Sequence, residues 1–441
     1  MADPAVLLLT RDLRVHDNPA LVEAARGGRA VAPLFVVDPA ITVSEPRRRF
    51  LAESLADLQT SLRRLGADLV MRVGDPVVEA VRLAGQLDAR TILCAEDVSR
   101  YARNRQRRLA RACERERIDL WWGPGPTVVP AGEALPAGGG DHYKIFTPYH
   151  RAWSGRRWRA VAERPEVLRL PSGLDGDDPL RFFDDPSGRP AAVAAGGESE
   201  GRRRVRRWRG HAAGYGDGHD DMAGDRTSRL SPYLHFGCVS AREVVAEFAG
   251  NEAFVRQMCW RDFYHQLLAA FPDLATRVYR ATAADDWADD PQALDAWRQG
   301  RTGVPIVDAG MRQLAAEGWM HNRARLITAG FLVKKLGLDW RAGLAWFGER
   351  LLDADVANNA GNWQWVAGTG TDARPHRGFN PIRQARRYDP DGDFVRQHVP
   401  ELAHIEGPAV HEPWLLPRRP SGYRISPVDG GSAVEDVFEG R

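Results

Sequence analysis

The sequence predicts an α/β domain with a doubly wound parallel sheet, joined by a long loop to an all-helical domain. Two observations predict this fold class. Over the first 125 residues, short apolar runs alternate with helical patterns, which is typical of an open parallel sheet covered by helices. Beyond residue 202, only helical patterns occur. We therefore expect an α/β domain at 1–125, a connection at 126–201 and a helical domain at 202–441.

Five apolar runs supply the expected strands. Each run is short and almost entirely apolar, as expected for a strand that is buried on both faces of a sheet. Helical patterns at 47–65 and 100–117 lie among them. No G-x-G-x-x-G motif follows the first run, so a dinucleotide site of the usual Rossmann kind is not expected. The runs are AVLLL (5–9), AVAPLFVV (30–37), DLVMRV (68–73), TILCA (91–95) and IDLWW (118–122).

Pro and Gly punctuate the connection between the two predicted domains. The segment GPGPTVVPAGEALPAGGG and the later LPSGLDGDDP are too rich in these residues for helix or strand. Loops of this length are usually functional or act as linkers. Within the connection, IFTPYHRAW (145–153) is the segment that we expect to be ordered.

Composition excludes several classes of protein. The net charge is +2 over 441 residues, which does not by itself indicate a nucleic-acid partner. The four cysteines lack CxxC spacing, so no metal site is expected. The N-terminus lacks the basic and long apolar regions of a signal peptide, and no stretch has the ~18 apolar residues of a membrane span. We therefore expect a cytoplasmic protein, not a membrane protein.

The stretch LLDADVANNAGNWQWVAGTGTD (351–372) combines polar and aromatic side chains. Asp353 and Asp355 are expected to be buried, and a buried carboxylate is costly unless donors satisfy it. Eight of the fourteen tryptophans fall within residues 260–365, but a tryptophan-rich core would not explain why polar residues gather there. Arg325 could pair with one aspartate. A ligand with hydroxyl and ring N–H groups could satisfy the remaining polar groups.

A second polar segment, DRTSRLSPYLHFG (225–237), precedes an apolar run. Thr227, Ser228 and Ser231 offer hydroxyl groups, and Ser231-Pro232 is typical of an N-cap followed by proline at the first helical position. Such a helix start can hold a phosphate through its free N–H groups, although most are ordinary caps.

Two further segments, WRDFYHQ (260–266) and GWMHNRAR (318–325), place Trp and Arg together on helical patterns. Arg323 and Arg325 are two residues apart and therefore point in different directions. One can meet a carboxylate while the other faces outward. A surface of exposed ion pairs is the alternative interpretation, and the apolar surroundings of Asn322 disfavour it.

Taken in order, these motifs resemble the DNA photolyase/cryptochrome family over almost the whole chain. The resemblance is greatest to bacterial class I cyclobutane pyrimidine dimer photolyases. Several motifs in register are far more specific than any one of them. They are TRDLRVHDNPAL (10–21), TSRLSPYLHFG (227–237), WRDFY (260–264), PIVDAGMRQL (305–314), GWMHNR (318–323), DWR (339–341) and NWQWVAGTGTD (362–372).

The resemblance implies that the helical domain binds FAD, which would satisfy the buried polar groups of 351–372. The residues implied to hold the FAD phosphates are Tyr215, Thr227, Ser228, Arg229, Leu230 and Ser231, and Arg261 is assigned to the cofactor site as well. Asn322, Asp353 and Asp355 would line the ribityl and isoalloxazine region, with Arg325 paired to Asp353. Asn359 matches the position that faces the flavin N5 atom, where plant-type light sensors carry Asp.

Three tryptophans match the family's electron-transfer chain. By motif, Trp363 is nearest the flavin, Trp340 follows, and Trp287 lies at the surface. Core packing is the alternative for each of them. Such chains also persist in relatives without repair activity, so their presence does not by itself establish repair.

On the substrate side, the resemblance implies damaged DNA with a flipped-out pyrimidine dimer. Trp260 and Trp365 match the two tryptophans that bracket the dimer, and Arg323 matches a phosphate contact. Four features depart from the cyclobutane-dimer pattern. Gln257 replaces the usual Glu, Leu326 the usual Met and His219 the usual Arg, and the loop RPHRGFNP (374–381) is altered and shorter. Gln can still donate to and accept from a base edge.

An antenna chromophore, deazaflavin or folate, is implied only generally. Arg105 stands where some relatives carry a folate-binding Glu, which argues against folate without identifying another chromophore.

The resemblance implies light-driven repair of pyrimidine dimers by electron transfer from excited, reduced FAD, in a monomer. One alternative is a cryptochrome-like blue-light sensor, which the short acidic segment 426–441 disfavours as a signalling extension. The other is a flavoprotein repurposed for a small molecule, because the departures lie on the substrate side.

Overall fold

The computed structural model describes residues 3–183, 192–371, 380–418 and 420–424. The chain divides into two compact units. The first comprises Met1–Arg189, Ala194–Ala212 and Ser228–Pro272, and the second comprises Pro190–Val193, Ala213–Thr227 and Asp273–Arg441. These units divide the chain elsewhere than at residues 125 and 201, so the three-segment division stays a prediction. Residues 374–379 of the altered loop and the acidic segment 426–441 lie outside the described residues.

The first unit contains a five-stranded parallel sheet in the order β3-β2-β1-β4-β5. Leu8 of the central strand pairs with Leu34 on one side and with Cys94 on the other. The five predicted strands are confirmed, and each end lies within two residues of its prediction. The strands are β1 Ala5–Leu9, β2 Val31–Val37, β3 Val70–Val73, β4 Thr91–Ala95 and β5 Asp119–Gly123.

Burial on both faces explains why these runs form a parallel sheet. Side chains alternate between the two faces of a strand, and all five residues of β1 are buried. Val6 and Leu8 belong to a cluster that helices 76–86 and 100–116 cover, whereas helix 19–24 packs against β1, β4 and β5. Parallel strands need this double cover, and they therefore consist of continuous apolar runs.

Nine α-helices of the described chain belong to the first unit. Asp75 caps the N-terminus of the third and Ser99 that of the fourth. The ordered patch predicted at 145–153 is confirmed as the fifth. The helices are α1 Pro19–Ala24, α2 Glu45–Leu65, α3 Pro76–Gln86, α4 Arg100–Glu116, α5 Phe146–Ser154, α6 Glu198–Arg209, α8 Ser231–Phe236, α9 Ala241–Glu247 and α10 Glu252–Ala270. Two 3₁₀ turns, Arg26–Gly28 and Pro179–Phe182, lie among them.

Among the described residues of the second unit, the regular elements are helices, as predicted for the C-terminal half. A π-helical turn, Phe331–Lys335, lies between the helices at 322–330 and 340–350. Short 3₁₀ turns at Pro400–Leu402, Gly407–His411 and Pro413–Leu415 follow the last helix. The helices are α7 Tyr215–Gly218, α11 Pro291–Arg298, α12 Pro305–Glu317, α13 Asn322–Gly330, α14 Trp340–Arg350, α15 Val356–Ala367, α16 Pro381–Tyr388 and α17 Asp393–His398.

Side-chain caps fix where the three helices around the candidate site begin. His321 caps α13, Asp339 caps α14 and Asp355 caps α15, each accepting a hydrogen bond from a backbone N–H in the first turn. Helix α15 packs against both α13 and α14. The polar stretch noted in the sequence therefore lies on three adjoining helices, beside a core that contains Trp297, Trp340 and Trp363.

No helix in the described part of the chain combines the length and the apolarity that crossing a membrane requires.

Candidate functional site

A cavity with about 490 Å³ of empty space, counted out to its mouth, lies among α13, α14 and α15 of the second unit. One part of its wall is apolar and another carries amide and charged groups. The lining residues are Asn322, Arg325, Leu326, Ala329, Phe347, Leu351, Asp353, Asn358, Asn359, Asn362, Trp363 and Val366.

Arg325 and Asp353 form a two-pronged ion pair in this wall. The guanidinium donates to both carboxylate oxygens, at 3.0 Å and 2.9 Å, and its Nε atom donates to the carbonyl of Met320. Asp353 is only 8% exposed, so the pairing satisfies a carboxylate that would otherwise be costly to bury. The sequence-based prediction of this pair is confirmed.

Asp355 is also buried, at 5% exposed, and it acts on its own helix. Its Oδ1 atom accepts from the backbone N–H of Asn358 at 2.9 Å and from the Asn358 side chain at 2.7 Å. Asn358 in turn accepts, through its carbonyl, from the side chain of Asn362. These bonds fix the first turns of α15 and therefore the direction of the amides in the cavity wall.

Asn359 and Asn322 complete the polar side of the cavity. Asn359 donates from its amide nitrogen to the carbonyl of Leu344 at 3.1 Å, which fixes the side chain in one orientation. Asn322 is exposed at the first position of α13. The apolar residues around Asn322 argued against a surface position in the sequence, and the structure corrects this, because Asn322 itself is exposed.

The composition of the wall fits the flavin that the resemblance implies. An apolar surface formed by Leu326, Phe347 and Val366 suits a flat ring system, and fixed amide and guanidinium groups suit its carbonyl and N–H edges. Among the cavity residues, the pair of Arg325 and Asp353 supplies the charge.

Trp363 is part of the same wall and is 2% exposed. Its ring packs edge-to-face against Phe347, with 5.1 Å between ring centroids, and against Trp297 at 6.1 Å. The indole also lies against Gly343 of α14, where an added Cβ atom would lie 2.1 Å from Cη2 of Trp363. Glycine at 343 is therefore required for the indole to lie against the backbone of α14.

Trp340 and Trp287 are not among the residues that line the cavity, but they belong to the same hydrophobic core as Trp363. Trp340 is fully buried at the start of α14, and Trp287 is partly buried and packs against the same cluster. The backbone N–H of Ala288 donates to the carbonyl of Gly337 at 2.9 Å, which ties the segment after Trp287 to the segment before Trp340. The structure therefore brings the three predicted electron-transfer tryptophans into one hydrophobic core.

Arg323, the predicted phosphate contact, is held within the second unit. It donates to both oxygens of Asp220, at 2.8 Å and 2.7 Å, and its guanidinium lies 4.1 Å from the ring centroid of Tyr388. His219, the other departure near this place, lies 3.8 Å from Asp220. A DNA phosphate would have to exchange with Asp220, so the role of Arg323 stays a prediction.

His321, between the cavity residues and the core, is held neutral. Its Nδ1 atom accepts from the N–H of Arg323 at 3.1 Å, so the proton of the neutral ring is on Nε2. Burial lowers the pKa of His321 from 6.5 to about 4, with nearby Asp225 and Asp220 opposing this effect. Between these two values the unfolded chain binds a proton that the folded chain excludes, so acid destabilises the fold.

Replacing His321 with Asn is expected to remove this acid sensitivity. Asn caps helices as well as any residue and does not titrate. The wild type should lose about 2 kcal/mol of unfolding free energy between pH 7 and about pH 5 through this one group, whereas the variant should not. Urea unfolding at both pH values measures the difference. Burial raises the pKa of Asp389 to about 6. Asp389 titrates in both proteins, so its contribution cancels in the difference between their unfolding free energies. Parallel pH profiles for the two proteins would contradict the assignment.

In the first unit, helix α10 carries the predicted lesion contacts. Gln257 is exposed and Trp260 half-buried, and their spacing places them on one side of the helix. Phe146 of α5 stacks on the indole of Trp260, with ring centroids 3.6 Å apart and planes within 2°, and the Arg256 guanidinium lies 4.8 Å from the Phe146 ring centroid. One face of Trp260 is therefore covered by the protein itself.

Arg261, predicted as a cofactor contact, donates to the backbone carbonyls of Pro126 at 2.5 Å and Leu234 at 3.5 Å. Those bonds give Arg261 a structural role in the first unit. Its predicted cofactor contact stays a prediction.

The predicted phosphate-binding segment differs in one detail from its prediction. Helix α8 begins at Ser231, its N-cap residue is Leu230, and no side chain caps it, so Ser231 is not the cap. The Ser228 hydroxyl accepts from the N–H of Leu230 at 3.4 Å, and Arg229 has a φ of 49°. In the second unit, the hydroxyl of Thr227 donates to Asp225.

Two further predicted residues lie in the second unit. Tyr215 is 9% exposed, and burial raises the pKa of its phenol to about 12, so it is neutral at physiological pH. Trp365 is half-buried on α15, two residues beyond Trp363, and therefore points in another direction.

Several residues of the cavity were not predicted from the sequence. Asn358 and Asn362 lie within the polar stretch 351–372, so their amide side chains could have identified them as candidate site residues. Phe347, by contrast, had no local signal, because its contact with Trp363 depends on how α14 packs against α15. Phe146 was noted only as part of an ordered patch, and its stacking partner lies 114 positions along the chain (260 − 146).

Comparison with known proteins agrees with these observations. Residues 5–167 match the DNA photolyase family, and residues 254–427 match the FAD binding domain of DNA photolyase. Together the two matches account for more than half of the chain.

Individual relatives are similar over nearly their full length. A deoxyribodipyrimidine photo-lyase of Streptomyces griseus is 46% identical, and the alignment covers 99% of this chain and 97% of that protein. A cryptochrome DASH of Danio rerio is 34% identical over 93% of this chain and 86% of its own. The crystal structure of a bacterial class III photolyase from Agrobacterium tumefaciens superposes with a TM-score of 0.89, at 33% identity, covering 95% of this chain and 91% of that chain.

Proposed function

Because the chain belongs to the DNA photolyase family, we propose that it is a deoxyribodipyrimidine photo-lyase, a carbon–carbon lyase that uses light to repair pyrimidine dimers in DNA. When bound and reduced, FAD supplies the electron that splits the dimer. The observation that carries this proposal is that one cavity has Trp363, a buried ion pair and fixed amides in its wall. The class of photolyase, class I or another, stays a prediction.

The residues of the second unit have distinct tasks at the flavin. Arg325 and Asp353 hold each other in one orientation in the wall, because the guanidinium donates to both carboxylate oxygens. Asp355 fixes α15, and Asn359 presents a neutral amide to the ring edge. Asn322 lies at the mouth. Tyr215 and Thr227 in this unit, and Ser228–Ser231 and Arg261 in the first, stay predicted as further cofactor contacts.

The tryptophans Trp363, Trp340 and Trp287 supply the electron that keeps the flavin reduced. Indole is the side chain best suited to one-electron oxidation within a core, and the three lie in or against one cluster. Trp363 lies in the cavity wall, and of the three only Trp287 is partly exposed, which supports the predicted order with Trp287 outermost.

At the lesion, the partly exposed ring of Trp260 is the predicted stacking partner of a base. Photolyases as a class take the lesion out of the duplex, and Phe146 fixes the indole of Trp260 before the lesion arrives. Gln257, one turn away, can hydrogen-bond a base edge. Trp365 and Arg323 complete the predicted contacts to the dimer and to a phosphate.

We expect Trp260→Ala to weaken binding to dimer-containing DNA by about ten- to a hundredfold, since stacking on an aromatic side chain contributes roughly 1–3 kcal/mol per base. Binding is measured with matched damaged and undamaged oligonucleotides, with the flavin reduced, at two salt concentrations. Trp346→Ala is the control, because Trp346 is also half-buried and held by arginines, but has no predicted role at the lesion.

Gln257→Glu tests the second predicted lesion contact on α10. It should preserve or raise repair, because it restores the group that the family usually carries. A wild type that neither discriminates damaged DNA nor repairs it in light would overturn the photolyase proposal and would favour a light sensor or a repurposed enzyme.

An antenna chromophore in the first unit, deazaflavin or folate, is proposed only as a family property. A monomer and a cytoplasmic location are proposed with it, likewise as family properties.

A further inference from the structure

The outer end of the tryptophan relay carries an arrangement of charges. Trp287 donates its indole N–H to Oδ1 of Asp285 at 2.9 Å. Asp285 is paired in turn with Arg341, whose two terminal nitrogens donate to its two oxygens at 2.9 Å and 2.7 Å. The side chains of Asp285 and Arg341 are 37% and 28% exposed, so both charges are partly shielded from water.

Arg341 also contacts Trp340, the neighbour of Trp287 in the proposed relay. Its guanidinium lies 4.7 Å from the ring centroid of Trp340. The position is fixed from several sides, because Arg341 also donates to the carbonyl of Thr276 at 2.8 Å and to Asp339, the cap of α14. The positive charge therefore lies against Trp340 and the negative charge on the N–H of Trp287.

The two indoles also differ in hydrogen bonding. Nε1 of Trp340 is buried and has no acceptor among the described residues, whereas Nε1 of Trp287 has a carboxylate. A cation on Trp340 would face a guanidinium with no compensating acceptor, and a cation on Trp287 would face an anion. Both effects favour a positive charge on Trp287 over one on Trp340.

We propose that Asp285 and Arg341 are positioning residues that drive the oxidised site outward from Trp340 to Trp287. One electron passes from Trp287 to oxidised Trp340, so Trp340 is restored and Trp287 is left as a radical cation hydrogen-bonded to Asp285. The initial oxidant is the light-excited, oxidised flavin. This inference rests on the proposed relay and adds the side chains that give it direction.

This bias, which is the preference for a positive charge on Trp287 over Trp340, slows the return of an electron to Trp287. It therefore lengthens the lifetime of the Trp287 radical. Asp285→Asn keeps an oxygen that accepts from the indole N–H but removes the charge. It should shorten the radical lifetime about fivefold, which corresponds to about 1 kcal/mol, the upper range for partly exposed charges. Arg341→Gln should shorten it as well, and Asp285→Glu should restore much of the wild-type lifetime.

Flash photolysis of the flavin-loaded protein, without added reductant, measures the lifetime and spectrum of the tryptophan radical. The matched control is Arg350→Gln, which removes a guanidinium lying 4.4 Å from the ring centroid of Trp346, outside the relay. It should leave the lifetime unchanged. Raising ionic strength should shorten the wild-type lifetime, because salt screens these charges. That measurement needs no variant and therefore holds even if a substitution impairs folding.

Trp287→Phe separates this inference from the relay itself. If it removes the long-lived radical while Asp285→Asn and salt have no effect, the relay stands and the charge bias is overturned. If it leaves the long-lived radical unchanged, Trp287 is not the terminal donor, and the relay proposal fails together with the bias.

Discussion

The Asp353→Ala variant is expected to purify almost free of FAD. Asp353 accepts two of the three hydrogen bonds that hold Arg325 in the cavity wall, and its removal leaves a largely buried guanidinium without its carboxylate. Removing one member of such a pair costs about 3 kcal/mol or more. If this cost appears in the free energy of flavin binding, the affinity for flavin falls by about a hundredfold or more. The ratio of flavin to protein absorbance after desalting measures retention, and fluorescence titration of the stripped protein gives the Kd.

Helix α13 supplies its own control. Asp220→Ala breaks the other arginine–carboxylate pair of this helix, between Asp220 and Arg323, which is outside the cavity lining. That variant should keep its flavin, because no cavity residue loses a partner. Equal retention by Asp353→Ala and Asp220→Ala would contradict the assignment of the cavity. Asp353→Asn should lie between the wild type and the alanine variant, since an amide keeps one acceptor.

The parallel sheet was predictable because its determinants are local. A strand buried on both faces must be apolar at consecutive positions, so each strand appears directly in the sequence as an uninterrupted run. The ends of β3 and β5 shifted by one or two residues from the predicted runs because hydrogen bonding to a neighbouring strand, not side-chain type, decides where pairing stops.

The buried polar groups of the cavity were predictable for a different reason. Asp353 and Asp355 stand in a segment that is apolar on both sides, and burying a carboxylate requires donors. Composition alone therefore indicated that a partner such as Arg325 must exist. It did not distinguish their tasks: Asp353 binds Arg325, whereas Asp355 caps α15.

Contacts between distant segments were not predictable. Arg323 was predicted to contact a phosphate, and its pairing with Asp220, 103 positions away, had no signal in the sequence. The stacking of Phe146 on Trp260 and of Arg341 on Trp340 depends on side-chain direction after the chain has folded. Motif spacing identified which residue types are present, and the packing of the helices decides which groups they meet.

Replacing Trp363 with Phe is expected to reduce the light-driven reduction of bound, oxidised FAD by at least about tenfold, to the level of background donors. Trp363 is the member of the relay in the cavity wall, and benzene rings are much harder to oxidise than indoles. Phe fills most of the space between Phe347 and Gly343, so we expect a stability loss of only about 1–2 kcal/mol. Absorbance under blue light with an external reductant measures the rate.

The neighbouring Trp297 provides the matched control for this substitution. It is fully buried, contacts Trp363 with 6.1 Å between centroids, and donates its N–H to the carbonyl of Thr328. Trp297→Phe therefore perturbs the same core and leaves the relay complete, so photoreduction should persist. Repair by Trp363→Phe protein whose flavin was first reduced chemically should be near that of the wild type, because the relay then has no task. Rapid photoreduction in Trp363→Phe would show that another donor feeds the flavin, and loss in both variants would show that core packing, not electron supply, is what Trp363 contributes.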